Sequence, residues 1–150
     1  MSGEGAGARV WAFRPVLEPV EADPRAVGVH DWTVLGVSDD PVADALRRAS
    51  RAGGVPGVAV VLGERYRDAY DAVLLDAVAR AEAGGGRVVL LHRGAGGVSL
   101  LRAAAVESGG RLRVAAVELP ADRGARWPSG WDAERLAGVA VAVGGELRVV

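Results

Sequence analysis

The residues best suited to chemistry lie in one stretch, Arg87 to Asp122, where an apolar run from Val88 to Leu91 leads into the turn Gly94-Ala95-Gly96-Gly97-Val98-Ser99. Beyond the turn a helical pattern places Val98, Leu101, Ala105 and Val106 on one face, and a further apolar run ends at Glu118. Strand, glycine turn and helix in that order are the setting of a dinucleotide-binding fingerprint. The glycines let the backbone approach a pyrophosphate, and the free N–H groups of the helix N-terminus bind it. Gly94, Gly96 and Gly97 would form that turn, and Glu118 stands about where an acid would hold the ribose hydroxyl. The match is partial, because Ser99 occupies the place of the third glycine. A short strand-to-helix connection needs glycine anyway, and in a chain with 22 glycines the pattern arises without a ligand. The turn is therefore expected to serve packing, with NAD(P) binding through Gly94, Gly96, Gly97 and Glu118 as the alternative.

Other candidates carry less. His92 ends the same apolar run and offers an imidazole, a common acid or base at neutral pH, but no partnered nucleophile accompanies it. Tyr66 and Tyr70 stand four apart, on one face of an expected helix, a spacing that favours packing over donation to a substrate. Asp68, Asp71 and Asp76 read as the solvated side of that helix, and Trp127 and Trp131 as either a docking surface or a loop folded onto the core. All 18 basic residues are arginine. That removes the P-loop lysine, Schiff-base chemistry and the Tyr-x-x-x-Lys pair of a short-chain reductase. Cysteine is absent and the two histidines, His30 and His92, are far apart, so no metal site and no thiolate nucleophile is expected.

The elements that must position these residues follow from periodicity and punctuation. Met1 to Ala8 reads as a flexible leader, and Arg9 to Val20 as an interrupted strand. Trp32 to Val37 is a strand ended by Ser38-Asp39-Asp40-Pro41, where Asp39 or Asp40 caps a helix and Pro41 suits its first turn. That helix runs from Pro41 to about Arg51. Gly57 to Leu62 is a strand, Tyr66 to Ala83 a long helix, and Gly84-Gly85-Gly86 its terminator. After the glycine-turn unit come a loop from Arg123 to Gly130, a helix from Trp131 to Ala140 led by Asp132, and a strand from Glu146 to Val150.

Strands that are continuous apolar runs, separated by helices, require a mostly parallel sheet covered on both faces: an α/β, Rossmann-like domain spanning residues 9–150. Its crevice lies beyond the carboxyl ends of the strands, at Val37 to Pro41, Leu62 to Arg65 and His92 to Gly97. A reductase of this class would carry its glycine turn after the first strand, where this chain has two carboxylates that repel a pyrophosphate.

Several segments resemble a known family. Arg9-Val10-Trp11-Ala12-Phe13-Arg14-Pro15, followed by the Trp-led strand Trp32 to Val37, is similar to the opening of the ketoreductase region of type I polyketide synthases, modular or iterative and enediyne. Leu101-Arg102 through Glu107, then Val117-Glu118-Leu119-Pro120-Ala121-Asp122, is similar to that family's arginine helix, glutamate and "DLPAD" strand end. Leu136-Ala137-Gly138 and Gly144 to Val149 resemble its closing helix and strand. The resemblance covers nearly the whole chain. It implies the noncatalytic N-terminal half of the ketoreductase, a truncated Rossmann-like and short-chain-dehydrogenase-like subdomain that binds no cofactor. The NADPH turn and the Ser, Tyr and Lys of catalysis would belong to the second half, which this one supports. The missing lysine agrees independently. The segment His92-Arg93-Gly94-Ala95-Gly96-Gly97 is richer in glycine than such a half needs, which keeps nucleotide binding as a second reading.

The remaining bounds come from composition. At 150 residues, half of them hydrophobic, the chain suits one domain with a real core. A net charge of −1 without basic runs argues against nucleic acid, and no apolar segment reaches the roughly 20 residues of a membrane span. A soluble, cytoplasmic chain is expected, not an enzyme on its own. Its partners would be the catalytic ketoreductase half and other polyketide synthase domains, and an uncovered edge would favour self-association in isolation. A catalytic role for His92 is the least supported reading.

Overall fold

Four apolar runs in alternation with amphipathic helices dictate a layered sheet, and the structure, a computed structural model, describes residues 30–93, 96–119 and 132–146. In chain order these form β1 (His30–Gly36), α1 (Pro41–Ala49), β2 (Val55–Val61), α2 (Ala69–Ala83), β3 (Arg87–His92), α3 (Val98–Glu107), β4 (Arg113–Glu118) and α4 (Ala133–Glu146). The strands are parallel throughout and stand side by side in chain order. The α/β, Rossmann-like class read from the sequence is the one observed.

Strand period two divides the core. Trp32, Ala59, Val61, Val89 and Leu91 face one side, where Val42, Ala43, Ala45 and Leu46 of α1 and Leu136, Ala137 and Ala140 of α4 cover them. Val58, Val60, Leu62, Val88 and Leu90 face the other, under Tyr70, Leu74, Ala77 and Ala81 of α2 and Leu101 of α3. Helices α1 and α2 thus lie on opposite faces although both crossovers step the same way along the sheet. Two such crossovers have opposite hands, whereas nearly all crossovers are right-handed. The chain changes face without reversing strand order, as a doubly wound sheet would if the outer strands of one half were removed.

The amino ends of the strands are held by Trp32 and Arg87. Trp32 lies in a slot between two glycines: a Cβ at Gly57 would sit 2.3 Å from its ring, and one at Gly144 2.4 Å. The Arg87 guanidinium stacks 5.0 Å from the Trp32 ring centroid and donates to the carbonyls of Val55 (3.0 Å), Pro56 (3.2 Å from Nε) and Gly144 (3.0 Å). Burial lowers its pKa from the usual arginine value, and carbonyl dipoles bear the charge.

Several boundaries differ from expectation. Helix α2 begins at Ala69, not Tyr66, because Tyr70 N–H bonds back to Arg67 O (2.8 Å) in a turn, so Tyr66 and Tyr70 do not share a helix face. Helix α4 runs through Gly144 to Glu146, past the expected stop at Ala140, since Gly144 is where the helix meets Trp32. Glu146 is therefore helical and not the start of a strand. On α3 the expected apolar face is only partly right: Leu101 is buried, whereas Val106 is 81% exposed. The leader, the Arg9 to Val20 strand, the loop with Trp127 and Trp131, and the strand residues Leu147 to Val150 lie outside the described residues.

Candidate functional site

Where neighbouring strands send their chains to opposite faces, their carboxyl ends leave a crevice, and in open α/β sheets ligands bind there. Here the crevice lies between β1, which leads to α1, and β2, which leads to α2. Its first wall is the turn Val37-Ser38-Asp39-Asp40, fixed by Val37 N–H donating to Val61 O (3.0 Å) and by a left-handed Asp39 (φ 57°). Asp40 caps α1: its Oδ1 accepts from the N–H groups of Val42 (2.9 Å) and Ala43 (3.3 Å), with Pro41 in the first turn. These are the N–H groups a phosphate would use. The chain's own carboxylate has taken that place.

Arg93, one residue beyond β3, completes the arrangement. Its Nη1 lies 2.8 Å from Asp40 Oδ2 and donates to Leu62 O (2.9 Å), so one guanidinium ties the ends of β3 and β2 to the start of α1. Both side chains are buried, 0% exposed for Arg93 and 1% for Asp40. The contact to Oδ2 is an ion pair by distance but lacks hydrogen-bond alignment, and Arg93 Nε and Nη2 have no hydrogen-bond partner among the described residues. A buried cation so placed depends heavily on the Asp40 carboxylate. The cap at Asp40 was legible in the sequence. Arg93 was not singled out, although an arginine that ends an apolar strand opposite an acidic turn is the signal that could have found it.

The glycine turn sits at the next strand end. Gly94 and Ala95 lie outside the described residues; Gly97 precedes α3 without a side-chain cap, and Glu118 is in register with His92 on the neighbouring strand. That is the connectivity of a dinucleotide site, a glycine turn after one strand and an acid at the end of the next. The space above Gly96 is nonetheless filled. At φ 125° Gly96 admits no ordinary side chain, and a Cβ there would meet the Tyr66 ring at 2.4 Å. Tyr66 packs edge-on against Tyr70 with centroids 5.6 Å apart, and Tyr70 Oη accepts from Gly63 N–H (3.1 Å). The Tyr66 hydroxyl donates to Asp71. Burial, then this bond, then the charges of Asp71 and Asp68 push its pKa up to about 12, so it stays a neutral donor. Asp68, Asp71 and Asp76 are exposed as expected, and Asp76 pairs with Arg80 at 3.0 Å.

Among the described residues no cluster of His, Asp and Glu has the grouping of a metal site, and no helix is long and apolar enough to cross a membrane. Fold and site together define a parallel α/β, Rossmann-like protein with a self-filled switch crevice. No family model, no curated protein and no solved structure matches the chain.

Proposed function

We propose that the chain is the noncatalytic structural half of a polyketide synthase ketoreductase, bracing a catalytic half that binds NADPH and reduces the ketone. The observation that carries this reading is Asp40, which occupies the α1 N-terminus within the crevice and is held there by Arg93. A pyrophosphate entering the crevice would meet a buried carboxylate where it needs N–H donors. The absence of lysine removes the reductase proton relay, and the segments Arg9 to Pro15 and Val117 to Asp122 carry the family resemblance. On this reading the chain holds no catalytic residue and no cofactor of its own, and other synthase domains surround it.

The second reading, a small NAD(P)-binding domain, rests on the uncapped α3 N-terminus after Gly97 and on Glu118 at the end of the adjacent strand. Titration calorimetry of the folded chain with NADPH and NADH, up to millimolar cofactor, separates the two. The structural role gives no saturable heat. Saturable binding that disappears in Gly96→Asp would overturn it and move the function to Gly94, Gly96, Gly97 and Glu118.

A further inference from the structure

A carboxylate belonging to the chain itself stands where an outside oxyanion would bind, and its fit is incomplete. Asp40 Oδ1 accepts from the N–H groups of Val42 (2.9 Å) and Ala43 (3.3 Å), while Oδ2 lies 2.8 Å from Arg93 Nη1. Three elements build these surroundings: α1 supplies the two main-chain donors, Arg93 follows β3, and Leu62 O, just past β2, accepts from Arg93 Nη1 (2.9 Å). Two N–H groups at the positive end of a helix, together with a guanidinium, are the components with which proteins hold carboxylate and phosphate groups. The side chain that fills the place is tied to the backbone one residue before the helix. With Oδ1 on the N–H groups, Oδ2 is out of hydrogen-bond alignment with Nη1, and among the described residues Arg93 Nε and Nη2 have no hydrogen-bond partner. An anion without that tether is free to align with the N–H groups and the guanidinium together.

We propose that the crevice holds a seat for one small oxyanion, closed in the parent chain by Asp40 acting as an internal ligand. The class of occupant is read from the resident group: a carboxylate, or a phosphoryl oxygen that uses the same donors. Asp39 and Pro41, on either side of Asp40, are exposed, so the seat lies one residue from solvent. The neighbouring carboxylates do not compete for it, since Asp39 and Asp44 are exposed and Asp44 pairs with Arg47 (3.0 Å). While Asp40 is in place it keeps other anions out by occupying the donors and by charge repulsion. With its side chain removed, the two N–H groups and the buried guanidinium lose their acceptor together, and a small oxyanion from solution takes its place. The seat is independent of the ketoreductase reading, which cofactor titration of the parent chain decides.

The test is chemical rescue in the full chain. Urea midpoints of Asp40→Gly, followed by far-ultraviolet circular dichroism, are compared in sodium formate, sodium phosphate and sodium chloride of equal ionic strength, beside the parent, Asp40→Ser and Asp40→Gly/Arg93→Met. Formate should raise the midpoint of Asp40→Gly saturably, with about a tenfold gain in the folded-to-unfolded ratio at ten times its dissociation constant, while the parent responds to formate as it does to chloride. Arg93→Met should remove the gain. Phosphate acting as formate does extends the seat to phosphoryl groups, and formate acting alone confines it to carboxylates. If Asp40→Gly does not fold in chloride, recovery of its helical signal in formate is the same result, and Asp40→Ser, which keeps an oxygen to cap α1 but leaves Arg93 without its carboxylate, carries the comparison. An equal gain in the parent, a gain that survives Arg93→Met, or no gain in either single variant would each overturn the proposal.

Discussion

Separating Asp40 from Arg93 by mutation is the most direct probe of the filled crevice. Asp40→Ser keeps an oxygen to cap α1 but leaves the Arg93 guanidinium buried without a counter-charge, a change expected to cost about 3–5 kcal/mol. Arg93→Met leaves a carboxylate that still accepts from Val42 and Ala43 and lies at the positive end of α1. That end stabilises a negative charge by about 0.3–2 kcal/mol, so the cost should be smaller, about 2–4 kcal/mol. The double variant removes both charges, keeps the cap and fills the volume with an apolar chain. It should fall within about 1 kcal/mol of the parent, because an ion pair in a dry interior does little better than a hydrophobic replacement. The interaction energy of the cycle is then at least about 4 kcal/mol. Urea unfolding followed by far-ultraviolet circular dichroism measures it, provided the denaturant slope is the same in all four proteins. Single-variant losses that add to within about 0.5 kcal/mol would refute the coupling and, with it, the idea that Arg93 holds Asp40 in the crevice.

Two further outcomes follow from the turn beside it. Gly96→Ala should destabilise the fold by about 1–3 kcal/mol through its φ of 125° alone, and more as the Tyr66 ring is displaced. If the cost is below this range in thermal unfolding, the turn does not hold the geometry described. The raised pKa of Tyr66 means that the folded protein keeps a proton the unfolded chain loses near pH 10. The associated stability is complete below pH 10 and declines as pH rises toward about 12. A phenolate absorbance titration should show a step near pH 12 that vanishes in Tyr66→Phe and moves down in Asp71→Asn. A step that ignores Asp71 would sink the assigned hydrogen bond.

The layers were legible in the sequence and their arrangement was not. Apolar runs at Val58 to Leu62 and Val88 to Leu91, separated by an amphipathic helix, state a parallel sheet covered on both faces, and Asp40-Pro41 states a helix start. Helix α4 outruns the stop expected at Ala140; only the tertiary position of Trp32 shows that a residue without a side chain, Gly144, is needed inside the helix. Tyr66 misled through spacing, because an aromatic pair four apart fits a helix and fits equally a turn folded back on its first residues. Neither the face on which α1 lands nor the contact of Arg93 with Asp40 is encoded locally, since both depend on how distant strand ends meet.

Those two hidden features bear on each other. A helix connecting adjacent parallel strands has an intrinsic preference for one face, and in this chain α1 and α2 take opposite faces while stepping in the same direction. At least one of them acts against that preference, so something specific must oppose the simpler fold with all crossovers alike. The ion pair is the contact whose loss such a fold would register. With α1 on the face it shares with α4, its N-terminus brings Asp40 to Arg93, and any placement of the helix that parts the two would leave a buried guanidinium and a carboxylate each uncompensated. A pair that adds little to net stability can in this way penalise the competing placement by several kcal/mol, because its cost appears only when it is broken. The double variant tests this as well. If Asp40→Ser/Arg93→Met keeps the parent's stability but its amide spectrum shows more than one packing of α1 on the sheet, the charges specify the topology. A single, parent-like spectrum would assign that task to the apolar contacts of Val42, Ala45 and Leu46 instead.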